Sequence, residues 1–215
     1  MSLREPEPGC LLCERLAAYR RENSARFPGW HNASVPSFGP LDARLLVVGL
    51  APGLRGANRT GRPFTGDAAG ELLYSRLLAF GFASGSYAAD PGDGLRLIDC
   101  RITNAVRCVP PGNKPLGREV KSCRVFLASE IGAMTRLEAI LALGRLAHDA
   151  VLAALGRRRS QTPFRHGAAH PLEGGILLAD SYHCSRYNTQ TGRLTPTMFD
   201  DVFAGLRTRL GAAQR

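Results

Sequence analysis

Ala43 to Leu50 reads ARLLVVGL and runs directly into Ala51-Pro52-Gly53. Leucine and valine in unbroken succession suit a strand buried on both faces, as in a parallel sheet, and the Pro-Gly pair stops it and opens a loop. Helical and strand patterns alternate on either side. Upstream, Cys10 to Arg26 reads as a helix with arginines on its outer face, ended by Pro28. Downstream, Asp67 to Phe80 carries leucines at helical spacing and stops at Gly81, and Leu97 to Arg107 is the second strand. Gly117 to Ile131 reads as a helix, Leu137 to Leu143 as a strand, Arg145 to Leu155 as a helix, Arg157 to Thr162 as an exposed basic loop and Gly175 to Ser181 as the last strand. Thr195-Pro196 starts a final helix that runs to Leu210. The alternation predicts an α/β fold with helices on both faces of a parallel sheet, a class that binds ligands in the loops beyond the carboxyl ends of its strands.

The chain has 215 residues, 44% hydrophobic and 21% charged, which suits one domain spanning residues 1–215 and excludes disorder or a fibre. Its longest apolar run, Leu45 to Pro52, falls well short of the ~20 residues of a membrane helix. Met1 to Gly9 has no secretion-signal pattern, so the expected location is the cytoplasm, with no membrane partner. The net charge of +10 favours a polyanionic partner, because neutralised phosphates release condensed counterions. Only Lys114 and Lys121 among 28 basic residues are lysines, and an arginine-rich proteome gives the same skew without a ligand.

Four segments carry chemistry. Cys10-x-x-Cys13 places two thiols on one face of the expected first helix, and Cys108 and Cys123 form a second pair. Together they suit zinc or an iron-sulfur centre, with zinc favoured by spacing alone and unrelated buried cysteines as the bland alternative. The loop from Gly49 to Asp67 lacks the pattern of a nucleotide-binding loop. It offers Gly53 for close backbone approach, Arg55, Arg59 and Arg62, one aromatic, Phe64, and one carboxylate, Asp67, which are the parts needed to hold a flat polar ring beside a phosphate backbone. Asp67 serves equally as a helix cap. Asn104 ends the second strand, where its amide can pair with a base edge or form a turn. His183 follows the last strand with Ser185, Arg186, Tyr187 and Arg193 around it, and can donate to charge developing on a leaving group. The stretch His166 to Pro171 is expected near the same place.

Taken together, Cys10-x-x-Cys13, GLAPG, NRTGRPFTGD, TNAVRC, Cys123 and SYHCSRYNTQTGRLT resemble the uracil-DNA glycosylase superfamily, in its iron-sulfur type-b branch, also called family 5. The resemblance runs over nearly the whole chain. It implies a three-layer α/β/α fold on a central four-stranded parallel sheet, and a monomer acting on double-stranded DNA. It implies that Cys10, Cys13, Cys108 and Cys123 hold a structural 4Fe-4S cluster. Phe64 is expected to stack on the extruded base, Asn104 to meet its polar edge and His183 to bond a base carbonyl. The first motif offers only Ala51, Pro52 and Gly53 where other branches carry an Asp or Asn, as is characteristic of this branch, so Asp67 becomes the candidate for activating water. The second motif has Cys184 where proline is usual. Arg186 and Tyr187 are the candidates for a wedge that fills the gap left by the flipped nucleotide. The implied activity is hydrolytic release of uracil, and of other deaminated bases such as hypoxanthine, leaving an abasic site. A non-catalytic nucleic-acid module with a metal site and a glycosylase that traps the abasic sugar covalently are the alternatives. The arginines of the two loops are expected to form the DNA-facing surface.

Overall fold

The computed structural model describes residues 3–211. In chain order its elements are α1 (Glu14–Arg26), β1 (Leu45–Gly49), α2 (Ala57–Thr60), α3 (Ala68–Ala79), β2 (Ala83–Ser84), β3 (Arg96–Leu97), β4 (Cys100–Asn104), α4 (Gly117–Ala133), β5 (Ala139–Leu143), α5 (Arg145–Ala154), β6 (Ala169–Pro171), β7 (Leu177–Ser181), α6 (Arg186–Gln190) and α7 (Pro196–Leu210). The main sheet has the order β4-β1-β5-β7-β6, parallel throughout except for β6, which runs antiparallel to β7.

Every residue of β1 and β5 is buried, as their unbroken apolar runs require, and so is every residue of β4, including the polar Arg101, Thr103 and Asn104. Alternation along each strand divides the core into two layers. Leu45, Val47, Leu141 and Leu143 pack with Leu73, Tyr74, Phe199 and Phe203 of α3 and α7. Leu46, Val48, Ile140 and Ala142 face the other way, against Leu127 and Ile131 of α4 and Ala147 and Val151 of α5. Each fully buried leucine, isoleucine, valine or phenylalanine among them contributes roughly 1.5–3 kcal/mol relative to exposure. No helix among the described residues is long and apolar enough to cross a membrane.

Three details depart from the sequence-based expectation. The sheet has five strands rather than four, because the short segment Ala169–Pro171 adds an antiparallel edge. A three-residue strand containing proline has no period to read, and proline is tolerated at an edge. The expected strand from Leu97 to Arg107 is broken at Asp99, whose backbone has φ 53°. Its carboxylate accepts from the backbone N–H and Nε of Arg44, at 2.9 and 2.6 Å. Arg96–Leu97 therefore pairs instead with β2 in a separate two-stranded ribbon. Finally, α1 begins at Glu14 with Cys13 as its N-cap residue, while Cys10 sits in the preceding turn, where its N–H reaches the carbonyl of Glu7 at 2.9 Å. The first two cysteines therefore converge through a helix entry rather than along one helical face.

Candidate active site

The loops after β1, β4 and β7 meet beyond one edge of the sheet and enclose a cavity of about 400 Å³. Its walls include Ala51, Pro52, Gly53, Phe64 and Asp67 from the first loop, Asn104 and Asn113 from the second, and His183, Ser185 and Arg186 from the third. Gly49 and Asn104 are register partners at the ends of β1 and β4. A side chain on Gly49 would strike both the Asn104 amide and, at 2.5 Å, the Phe64 ring. Glycine at this strand end is what lets those two groups reach the cavity floor. Asn104 is buried, and its amide forms no hydrogen bond within the protein among the described residues, so its donor and acceptor are free for a ligand.

Phe64 adopts a left-handed backbone, φ 52°, unusual for a bulky residue. Tyr87 holds it there by donating to its carbonyl at 3.2 Å, and the hydroxyl of Tyr74 donates to that of Pro63 at 2.7 Å. The Phe64 ring lies 6.0 Å from that of His183, the planes 30° apart. The imidazole of His183 has no protein hydrogen-bond partner among the described residues, and its backbone carbonyl accepts from Asn188 Nδ2 at 2.8 Å. Burial lowers the His183 pKa below its ordinary value of 6.5, and the neighbouring Asp67 charge opposes this. The ring is therefore neutral at neutral pH, a donor through one nitrogen. Asp67 is the N-cap residue of α3, with its Oδ1 accepting from Gly70 N–H at 3.1 Å. Its Oδ2 lies against Gly53 and Gly56, where added methyl groups would crowd it. The carboxylate caps a helix and faces the cavity at once, so the two roles the sequence offered are not exclusive.

The description "Uracil DNA glycosylase superfamily" belongs to a family profile that matches residues 36–207. The type-5 uracil-DNA glycosylase of Thermus thermophilus is 50% identical over 199 residues, spanning 90% of each chain. That of Mycobacterium tuberculosis is 42% identical over 203 residues, 90% of this chain and 75% of its own. That of Pyrobaculum aerophilum is 41% identical over 197 residues, 90% and 85% of the two chains. The chain belongs to the uracil DNA glycosylase superfamily, in its type-5 branch.

Within this glycosylase fold most of the residues expected at the site do come together: Ala51, Gly53, Phe64, Asp67, Asn104, His183 and Arg186 line one cavity. Arg62 does not. Its side chain is 5% exposed, its guanidinium is held bidentate by Asp93 at 2.8 and 2.7 Å, and the rings of Phe38, Tyr74 and Tyr87 surround it. It braces the Phe64 segment from behind and presents nothing to DNA. Arg55 and Arg59 are exposed but do not line the cavity, and Tyr187 stands beside it, 71% exposed on α6. The stretch His166 to Pro171 lies off the cavity, with His166 Nδ1 accepting from the Tyr182 N–H at 3.1 Å. Asn113 was missed from sequence, since the turn-forming run around it hides it, and Ser185, read only as a neighbour of His183, lines the cavity as well as capping α6.

Cys10, Cys13, Cys108 and Cys123 all border one small hollow with Leu16, Val106 and Phe126. All four are free thiols. Burial pushes the Cys108 thiol up to about 12 and the Cys123 thiol to about 11, and the Arg107 N–H donates to Cys123 Sγ at 3.4 Å. Among the described residues, the only donor trio drawn within 4.8 Å is His148, His170 and Asp180, so no three of these sulfurs approach that closely. A tetrahedral zinc with Zn–S of about 2.3 Å holds its sulfurs under about 4 Å apart. The wider set is compatible with a metal cluster. Cys100 and Cys184 stand apart from it, both buried, Cys184 donating to the Ala69 carbonyl at 3.4 Å.

Proposed function

We propose that this chain is a monofunctional DNA glycosylase of base excision repair that hydrolyses the N-glycosidic bond of uracil extruded from double-stranded DNA, leaving an abasic site. The observation that carries this reading is the meeting of Phe64, Asn104, His183 and Asp67, from three separate strand-end loops, around one cavity large enough for a base. Phe64 supplies a stacking face. The unpaired Asn104 amide matches a ring edge that has both a donor and an acceptor, and neutral His183 donates to a base carbonyl as negative charge gathers there. One such donor is worth about 3 kcal/mol in the transition state. Departure of the base leaves an oxocarbenium-like sugar that water captures readily. Asp67, held by the Gly70 N–H and given room by the absence of side chains at Gly53 and Gly56, orients that water or offsets the sugar's charge.

No lysine lines the cavity, so no side-chain amine stands ready for a Schiff base, and the strand is left uncut. A pocket built on stacking and one amide edge admits other deaminated bases, with hypoxanthine as the first to try. The four thiols are read as ligands of a structural 4Fe-4S cluster, which would supply cross-linking and no redox step. We read the protein as a single-domain monomer of the cytoplasm.

The test is release of base from uracil- and hypoxanthine-containing duplexes, scored as alkali-labile sites. Wild type is expected to act on uracil, His183→Ala and Asn104→Ala to lose about 10²–10³-fold in kcat, and Asp67→Asn to lose less if water needs only orientation. No alkali-labile sites with wild type would refute the enzyme; a denaturation-stable protein–DNA adduct would replace hydrolysis with covalent trapping.

A further inference from the structure

A second hollow of about 350 Å³ adjoins the cavity and shares His183 with it. Its wall carries Arg145 from the start of α5, Arg165 from the segment before β6 and Arg193 from the loop before α7, with Phe164 and Tyr182 between them. All three arginines are exposed, and none forms an ion pair among the described residues. Arg157 and Arg159, by contrast, are paired with Glu173 at 2.7 Å and Asp149 at 3.2 Å, while Arg158 between them is exposed and has no ion pair among the described residues. The guanidinium of Arg193 lies 4.7 Å above the Tyr182 ring, which fixes it in place without neutralising it.

Arg165 belongs to an irregular segment, and a buried cluster behind the groove holds that segment to the sheet. Asp180, fully buried on β7, accepts from Arg165 N–H at 3.3 Å and lies 3.1 Å from His170 Nε2 through one oxygen. Its other oxygen lies 2.7 Å from His148 Nδ1. His148 Nε2 in turn faces the Thr162 carbonyl at 2.8 Å. Both ring nitrogens of His148 thus face acceptors, and only an imidazolium satisfies both. The backbone of Asp180 adds two more ties, to Gly167 N–H and the Ala168 carbonyl, each 2.9 Å. His148 and His170 are the outer members of a charge-locked clasp.

We propose that the Arg145–Arg165–Arg193 groove binds phosphates of the DNA strand next to the extruded nucleotide, and that His148, Asp180 and His170 are positioning residues that hold Arg165 in its wall. The assignment of the ligand as the strand flanking a flipped base rests on the proposed function; the groove and its clasp do not.

The test uses the full chain and a duplex with and without uracil, measuring affinity against salt. Arg145→Ala, Arg165→Ala and Arg193→Ala are each expected to reduce the slope of log K against log salt by about 0.9, one phosphate contact, while Arg157→Ala leaves it unchanged. Asp180→Asn is expected to reproduce the Arg165→Ala slope and raise KM, with the single-turnover rate at saturating DNA kept, and the double variant is expected to lose nothing further. Should Asp180→Asn not fold, His170→Ala reads the same effect at the sheet edge, and His170→Gln, which keeps a donor, is expected to restore it. Unchanged slopes in the arginine variants would overturn the phosphate groove. A lowered Tm in the clasp variants with an unchanged slope would overturn positioning. If wild type releases no base, the enzyme reading fails while the slopes still report on the groove.

Discussion

His183 and His148 have pKa values displaced in opposite directions, and the displacements separate their roles. Burial lowers the pKa of His183 below 6.5, only partly opposed by Asp67. The unfolded chain therefore takes up a proton at this residue before the folded protein does, and the site costs stability as pH falls below about 6.5. His148 is raised despite its burial, because Asp180 accepts from it, helped by the Thr162 carbonyl on its other nitrogen and by Asp149 on its own helix; the His170 ring meets it edge-on across the clasp. Its contribution is fully present below about pH 6.5 and is lost as pH rises through the higher folded value. We therefore expect His183→Asn to gain stability relative to wild type on going from neutral to mildly acidic buffer. His148→Gln is expected to cost most in acid and progressively less in alkali. Denaturant unfolding across that range checks both signs, and parallel curves for wild type and both variants would contradict them.

Elements built on unbroken apolar runs were legible because burial on both faces leaves a simple mark: β1 and β5 follow from their runs of leucine, valine, isoleucine and alanine, whereas β4, CRITN, was read only as part of a longer strand. What was not legible depends on partners far along the chain. Arg62 reads as a loop arginine among other loop arginines, yet Asp93, 31 residues on, and three aromatic rings take it into the interior. Asp99 breaks a strand only because Arg44 waits for its carboxylate. The same physics joins α4 to β4. Glu130 of α4 is fully buried and accepts from Arg101 Nε and Arg107 through its two oxygens, each at 2.6 Å, and the Arg107 backbone N–H donates to Cys123 Sγ. Removing the shared carboxylate leaves two buried guanidiniums with only the partly exposed Glu5, 3.6 Å from Arg101 and 4.0 Å from Arg107, as a counter-charge. Glu130→Ala is therefore expected to destabilise the fold by about 3–5 kcal/mol, as breaking a buried pair does, measured by urea unfolding. A change below about 1 kcal/mol would mean that water reaches these arginines as the protein stands.

At the scale of the molecule, the cysteine hollow and the cavity are neighbours that share a wall. Ala51 packs against the cysteine group and also lines the cavity, and the chain between Cys108 and Cys123 supplies Asn113 to the cavity rim. The four sulfurs come from the turn before α1, the start of α1, the segment after β4 and α4, so a centre bound there ties the first residues of the fold to the strand that carries Asn104. No cysteine of this set touches the cavity. Loss of the centre should therefore loosen the protein without removing any group that meets a base. On the proposed reading of the four thiols as iron-sulfur ligands, Cys108→Ser is expected to lose the brown colour such a cluster gives. It is also expected to melt several degrees lower, since roughly 1 kcal/mol moves Tm by about 2–4 °C in a chain of this size. Below that melting point its single-turnover rate on uracil-containing duplex should stay within about tenfold of wild type, because the donors at His183 and Asn104 remain in place. A drop as large as that of His183→Ala, with Tm unchanged, would instead give the cysteine centre a direct part in the chemistry.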